Sequence, residues 1–94
     1  MSKREDIQTY RRFLKEAYQY RTECYRLYES LLTSRPLETV RLEERLQQAV
    51  RGYYHMLRAA EAQRFLLETR YGIEDWRIDN IKQRIIDEYS HSTA

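Results

Sequence analysis

The scarcity of helix-breaking residues constrains this chain more than any other feature, because its 94 residues include only two glycines and one proline. An all-β domain needs turn residues every ~8–12 positions, and the sequence has too few residues of that kind. With 41% hydrophobic and 13% aromatic residues, the chain is also too apolar and too aromatic to be disordered. We therefore expect an all-α protein that forms a single domain.

Capping signals place the first of three predicted helices. Ser2 and Glu5 have the spacing of a capping box, in which each side chain satisfies a free backbone N–H of the first turn. No glycine or proline follows before residue 36, so we expect a helix over about 3–33.

The strongest breaker in the first seventy residues marks the start of a second helix. Thr33 or Ser34 is expected to cap it, and Pro36 suits its first turn, where the missing N–H of proline is not needed. This helix is expected over about 36–71.

Gly72 predicts the end of the second helix in a left-handed cap. A third, shorter helix is expected over about 75–89, followed by a frayed polar tail over 90–94. The predicted fold is a long antiparallel helical hairpin plus a short third helix. We expect this fold to be completed by self-association, for example into a homodimeric four-helix bundle, or by docking on a partner.

Both long helices carry an apolar stripe in alternating steps of three and four, the a and d positions of a heptad. Aromatic and aliphatic residues widen this stripe on both sides. We therefore expect each long helix to contact at least two others. The residues predicted to form this interface stripe are Leu14, Cys24, Tyr28 and Leu31 in the first helix and Val50, Tyr53, Leu57 and Leu67 in the second.

Two arginines and one glycine interrupt the stripes. A buried arginine must be paired, so Arg21 and Arg64 either form a polar layer or run their stems out to solvent. The acidic partners considered for such a layer are Glu23 and Glu61. Gly52 is unfavourable inside a helix by up to ~1 kcal/mol, and it predicts the close approach of a neighbouring helix.

No residue pattern indicates an enzyme, a metal site or a cofactor. The two histidines, His55 and His91, lack the Glu-x-x-His spacing of a di-iron bundle. Cys24 is the one cysteine, and we interpret it as a small buried apolar residue. No glycine-rich phosphate loop and no nucleophile motif is present.

The N-terminal sequence MSKRED has no apolar segment of a secretory signal. The longest apolar run is Phe65-Leu66-Leu67, far below the ~18 residues of a membrane span. We therefore expect a soluble intracellular protein, cytoplasmic unless a family assignment places it elsewhere.

The third predicted helix also allows an alternative function, nucleic-acid binding. Gly72 sits where a helix-turn-helix has its turn, and Arg77, Asn80 and Arg84 are residue types that contact base edges. The net charge of +2 is small for a nucleic-acid binder. The competing interpretation, which we favour, is an amphipathic helix that only packs on the hairpin.

The segment Thr9-Tyr10-Arg11-Arg12-Phe13-Leu14-Lys15-Glu16 resembles the opening of the LYR-motif family, small three-helix proteins of mitochondria that serve as assembly factors or accessory subunits. The resemblance implies a mitochondrial matrix protein that binds acyl carrier protein. In that case the positions that match the motif contacts are Tyr10, Arg11 and Lys15.

The leading hypothesis from the sequence is a non-enzymatic helical protein–protein interaction module. It is expected to act as a small accessory or assembly subunit, or as a self-associating bundle. A small arginine-rich nucleic-acid-binding regulator is the alternative from another class.

Overall fold

Three α-helices make up the computed structural model, which describes residues 2–92. Helix α1 spans Lys3–Leu32, α2 spans Pro36–Tyr71 and α3 spans Asp75–Ser92. Helices α1 and α2 pack against each other over their length as an antiparallel hairpin, and α3 packs mainly against α1. The prediction of an all-α hairpin with a short third helix is confirmed.

The start of α1 follows the predicted cap. Ser2 has an extended backbone, and its hydroxyl accepts the backbone N–H of Glu5 at 3.2 Å. This bond satisfies one of the free donors of the first turn. The helix begins at Lys3, as the capping pattern predicted.

The turn between α1 and α2 differs from the prediction in one respect. Arg35 occupies the N-cap position of α2, without a side-chain hydrogen bond, so a cap by Thr33 or Ser34 is wrong. The Ser34 hydroxyl lies instead 2.8 Å from the hydroxyl of Thr39, which closes the turn through side chains. Pro36 lies in the first turn of α2 as expected.

Gly72 ends α2 in the left-handed conformation, with φ 62° and ψ 30°. Its N–H donates to the carbonyl of Glu68 at 3.1 Å, and the N–H of Ile73 donates to the carbonyl of Leu67 at 3.3 Å. Only glycine adopts this backbone readily. The predicted cap is confirmed, and it turns the chain so that α3 returns along α1.

Helix α3 continues past its predicted end at Tyr89. The Ser90 hydroxyl donates to the carbonyl of Ile86 at 2.9 Å, and the helix reaches Ser92. The prediction of a frayed tail is therefore wrong for residues 90–92, while residues 93 and 94 lie outside the described part of the chain.

The hydrophobic core lies at the end of the hairpin that carries α3, and all three helices contribute to it. Its buried members are Tyr10, Leu14 and Tyr18 from α1, Ala60 and Leu67 from α2, and Ile78 and Ile85 from α3. We call this part the three-helix end, comprising residues 3–21, 57–71 and 75–92. The remaining two-helix part, residues 22–56, is the distal hairpin.

Gly52 lets the two long helices approach closely. A Cβ atom at this position would lie 2.6 Å from Cε1 of Tyr20, far inside the normal contact distance. The ring of Tyr20 therefore covers the backbone of α2 where no side chain intervenes. The predicted role of Gly52 in close helix approach is confirmed.

Asp6 is a buried carboxylate that joins the start of α1 to the end of α2, with only 2% of its surface exposed. It accepts the Tyr71 hydroxyl at 2.5 Å, and its backbone carbonyl accepts the Gln63 amide at 2.9 Å. The guanidinium of Arg70 lies 3.9 Å away. The hydrogen bond to Asp6 raises the pKa of Tyr71. A buried charge needs such partners, so this cluster fixes the register of the hairpin.

Arg64 links α2 to α3 through ion pairs. Its side chain is only 18% exposed, and it contacts Glu68 at 3.0 Å, Asp79 at 2.8 Å and Asp75 at 3.6 Å. The hydrogen bonds to Asp79 and Glu68 raise its pKa above the ordinary arginine value. Arg64 is thus a paired, mostly buried residue, and the expected partner Glu61 is not among its carboxylates.

Candidate protein-binding groove

The apolar stripe of α1 is covered at one end of the molecule and open at the other. Leu14 and Tyr18 are 1% and 6% exposed in the three-helix core. Two heptads further along the same stripe, Tyr28 and Leu32 are 57% and 69% exposed. Tyr25, one heptad after Tyr18, is 49% exposed. The stripe therefore continues beyond the part that α3 covers.

The facing surface of α2 shows the same change along its length. Arg64 contacts α3, Leu57 one heptad earlier is half-buried, and Val50 another heptad earlier is exposed. Tyr54, one turn after Val50, is also exposed. The side of α2 that holds α3 thus becomes an open wall in the distal hairpin.

These open residues form an apolar groove between α1 and α2, which we call the distal groove. Near α3 it holds a depression of about 450 Å³, lined by Cys24, Tyr25, Val50 and Tyr54 among others. The walls of this depression include Arg21 and Tyr25 from α1, and Val50 and Tyr54 from α2. Tyr28 and Leu32 continue the same face of α1 beyond the depression and are exposed, and the distal groove is defined to include them.

Arg21 stands where α3 ends and the distal groove begins. It lines the 450 Å³ depression and also a smaller one of about 40 Å³ shared with Tyr89 of α3. Its Nε donates to the Tyr25 hydroxyl at 3.0 Å, and its guanidinium lies 5.5–5.7 Å from the ring centroids of Tyr18 and Tyr25. The hydrogen bond to Tyr25 raises the pKa of Arg21.

No carboxylate lies within ion-pair distance of Arg21 in the described residues. This contrasts with Arg64, which has three. The expected partner Glu23 pairs with Arg45 instead, at 3.2 Å. Arg21 therefore presents a positive charge, fixed in position by aromatic rings, at the mouth of an apolar groove.

Tyrosine rings connect the core to the groove wall. The rings of Tyr18 and Tyr53 are tilted with centroids 6.3 Å apart, and those of Tyr53 and Tyr54 are 5.3 Å apart. Such tilted pairs add packing energy beyond buried area. Tyr54 on the groove wall is therefore linked through the ring of Tyr53 to Tyr18 in the three-helix core.

Cys24 lies half-buried on the floor of this groove. Burial raises the pKa of its thiol, with a further contribution from the charge of Glu23. A raised pKa lowers the thiolate fraction, which is the reactive form. The position agrees with a packing role for this residue.

The predicted interface stripe divides into three groups. Leu14 and Leu67 are buried in the core, and Tyr28 and Val50 are exposed on the distal groove. The half-buried members are Cys24, Leu31, Tyr53 and Leu57. The stripe therefore contributes to both the core and the groove. Tyr54 is a groove residue that the a and d pattern did not include, because it lies one turn to the side of the α2 stripe.

The residues predicted from the LYR resemblance lie at different depths. Tyr10 is fully buried, so its ring is part of the core and not of the surface. Burial raises the pKa of Tyr10 to about 12, and the charge of Arg64 acts in the opposite direction. Arg11 and Lys15 line a shallow basic depression of about 340 Å³ together with Arg12. Of the three predicted residues, Arg11 is exposed and Lys15 is half-buried.

The nucleic-acid candidates lie together on the outer face of α3. Arg77, Asn80 and Arg84 are all exposed, with spacings of three and four that place them on one side of a helix. The guanidinium of Arg77 lies 5.3 Å from the ring centroid of Trp76. The opposite face of α3, with Ile78 and Ile85, is buried in the core.

Within residues 2–92, no cluster of three or more histidine, cysteine, aspartate or glutamate side chains has a metal-binding arrangement. None of the three helices is both long enough and apolar enough to cross a membrane.

Comparison of the chain with protein-family models, with curated proteins and with solved structures finds no match.

Proposed function

We propose that the chain is a non-enzymatic helical protein–protein interaction module, an accessory or assembly subunit that binds its partner through the distal groove. The observation that carries this proposal is the exposure of Tyr25, Tyr28 and Leu32 on the stripe that is buried in the three-helix end. Exposed apolar surface that continues a core stripe is typical of a docking site.

The size of the exposed surface supports the proposal. Tyr25, Tyr28 and Tyr54 are each about half exposed. An aromatic side chain can bury ~150–250 Å², so these three rings leave roughly 300 Å² of surface open. Leu32 and Val50 extend the patch into the upper part of the range for monomeric proteins, where such patches are often functional.

The residue types in the groove also fit a protein interface. Tyrosine and arginine are the residues that dominate binding energy at such interfaces. Arg21 and Tyr25 are already held together by a hydrogen bond of 3.0 Å, so little side-chain freedom is lost when a partner binds.

The LYR resemblance is a more specific form of this proposal, with acyl carrier protein as partner and the mitochondrial matrix as compartment. Two basic residues support it, Arg11, which is exposed, and Lys15, which is half-buried, because a phosphate or an acidic protein surface is attracted to such a patch. In this form Tyr10 contributes through its packing in the core, since its ring is fully buried.

A nucleic-acid-binding regulator is the second candidate, and one contact favours it. Two acidic residues of α3, Asp75 and Asp79, are engaged by Arg64, which reduces their repulsion toward phosphates. Arg77 and Arg84 remain on the outer face. Affinity for a duplex oligonucleotide that falls steeply with salt, and that is lost in Arg77→Gln/Arg84→Gln, would favour this candidate over the interaction module.

Site-specific photo-crosslinking tests the leading proposal. A photoreactive amino acid replaces Tyr28 in the groove or, as control, Phe65, which is 67% exposed elsewhere on α2. In the cells from which the chain derives, we expect protein adducts from position 28 that disappear with Val50→Asp, and none from position 65. Absence of any protein adduct at position 28 would contradict the proposal.

A further inference from the structure

We infer that the distal groove receives a single amphipathic helix of a partner protein, which lies end to end with α3 and carries acidic residues at its N-terminus. This inference rests on the proposed function and specifies the kind of partner. Its occupant is defined by two features of the groove, its continuity with the α3 interface and its distribution of charge.

The width of the groove is set by α3. In the three-helix end, one helix packs mainly against α1 and also contacts α2, with Ile78 and Ile85 fully or almost fully buried. The apolar stripe of α1 continues past Arg21 with Tyr25, Tyr28 and Leu32, and that of α2 continues as far as Val50. A surface that accepts one helix in its first half therefore offers the same site to one helix in its second half.

The open part of the groove matches a short helix in length. Helix α3 ends beside Arg21, Thr22 and Tyr25, and α1 continues to Leu32. From Arg21 to Leu32, α1 extends about 16 Å at ~1.5 Å per residue, and the first turn of this span lies beside the end of α3. Three helical turns of a partner match this length.

Charges at the two ends of the groove assign the direction of the occupant. Arg21, at the α3 end, has no carboxylate partner in the described residues. Glu29 lies one turn beyond Tyr25, and Glu43 lies one heptad before Val50. Both are exposed, and neither has an ion-pair partner within residues 2–92. Along the two long helices, the charge is thus positive at Arg21 and negative toward the hairpin turn.

A helix that runs parallel to α3 complements this pattern. Its first turn lies at Arg21, where acidic residues pair with the guanidinium and also suit the positive end of the helix dipole. Its last turn lies near Glu29 and Glu43, where basic residues are favoured for the same two reasons. Its apolar residues occupy positions i, i+4, i+7 and i+11, the spacing that fits a groove between two helices.

Two labelled peptides of about 14 residues test the assignment against the full chain by fluorescence anisotropy. Both carry leucine at i, i+4, i+7 and i+11. One has glutamates in the first turn and lysines in the last, and the control peptide has these charges reversed. We expect the acid-first peptide to bind at least about tenfold more tightly, the equivalent of ~1.4 kcal/mol.

Variants of the chain locate the bound peptide. Tyr28→Asp should abolish binding, whereas Phe65→Asp, on an exposed site outside the groove, should not. Arg21→Gln should reduce the preference for the acid-first peptide. Arg26→Gln should leave that preference unchanged, because Arg26 is exposed and lies about 140° around the helix from Arg21. Circular dichroism checks that each variant folds.

The outcomes separate this inference from the proposed function. Failure of both peptides to bind, or equal binding of the two, overturns the helical occupant. If sedimentation shows that the chain dimerises and that Tyr28→Asp prevents this, the occupant is a second copy and the inference is wrong. In either case, protein adducts from position 28 in cells would still support the interaction module.

Discussion

The three-helix end and the distal hairpin are built from the same two helices with the same heptad pattern, yet only one of them has a core closed by a third helix. In the distal hairpin the buried apolar residues are Leu27 and Ala49. The difference comes from the third helix. At ~1.5 Å per residue, the 18 residues of α3 cover about 27 Å. The 30 residues of α1 extend over about 45 Å. An amphipathic pattern defines which face of a helix is apolar, whereas the length of its neighbours decides how much of that face is covered.

Polar contacts follow the same division. The three-helix end contains the buried Asp6 cluster and the mostly buried Arg64 network. The ion pair in the distal hairpin, Arg45–Glu23, has side chains that are 57% and 40% exposed, and such pairs contribute little. We therefore expect local stability to decrease from the three-helix end to the hairpin turn.

Removing one leucine from each region should give the largest contrast. Leu67 is fully buried, so Leu67→Ala leaves a cavity and should lower the unfolding free energy by roughly 2–5 kcal/mol. Leu37 is 95% exposed, and Leu37→Ala should change the unfolding free energy by less than about 0.5 kcal/mol. Urea unfolding measured at low protein concentration checks both values. Equal effects would show that the core is not confined to the three-helix end.

Alkaline unfolding should depend on Tyr10. Its pKa is raised from 10.0 to about 12 by burial, so the native state holds a proton that the unfolded chain releases first. The stabilisation is complete below pH 10 and is lost as the pH rises to about 12, a change of roughly 2–3 kcal/mol. In Tyr10→Phe this part of the pH dependence should be missing. An unchanged slope between wild type and variant would contradict the burial of Tyr10.

The two arginine networks should respond unequally to neutralisation. Arg64→Gln removes a mostly buried donor to Glu68 and Asp79, and we expect a loss of roughly 1–3 kcal/mol. Arg45→Gln removes an exposed pair and should cost at most about 1 kcal/mol. Denaturant unfolding compares the unfolding free energies of the two variants. Hydrogen exchange should show faster opening of α3 in Arg64→Gln only.

The smallest predicted effect concerns the close approach of the helices at Gly52. In the wild-type chain, the added methyl group of Gly52→Ala would meet the ring of Tyr20, which offsets the gain in helix propensity. In a Tyr20→Ala background the same change should stabilise the chain by up to ~1 kcal/mol. The double-mutant cycle measures this difference, and strict additivity would argue against the contact.

Local signals in the sequence predicted the helices well. The Ser2 cap, the Pro36 start and the Gly72 end each depend on a residue and its near neighbours, and all three are confirmed. The end of α3 was placed three residues early, because polar residues after Tyr89 carry no breaker and simply continue the helix to Ser92.

Contacts between distant parts of the chain were harder to predict. The partners of Arg64 include Asp75 and Asp79, which become neighbours only after the Gly72 turn brings α3 back. Asp6 has the appearance of an ordinary acidic residue in a first helical turn, and its burial depends on Tyr71 across the hairpin.

The candidate groove was predictable only in part. The sequence indicated an apolar face too wide for two helices and named Tyr28 and Val50 within it. It did not indicate that coverage stops near Arg21, since that boundary depends on where α3 lies in three dimensions. Tyr54 was missed because it borders the α2 stripe instead of following its repeat.

Residue-resolved hydrogen exchange along α1, with and without the acid-first peptide, tests the central claim most directly. In the free chain, amides of residues 22–32 should exchange faster than those of residues 6–18, because no third helix covers them. Saturating peptide should protect residues 22–32 and leave residues 6–18 unchanged. Equal protection along the whole of α1 in the free chain, with no response to peptide, would contradict an open groove that receives a helix.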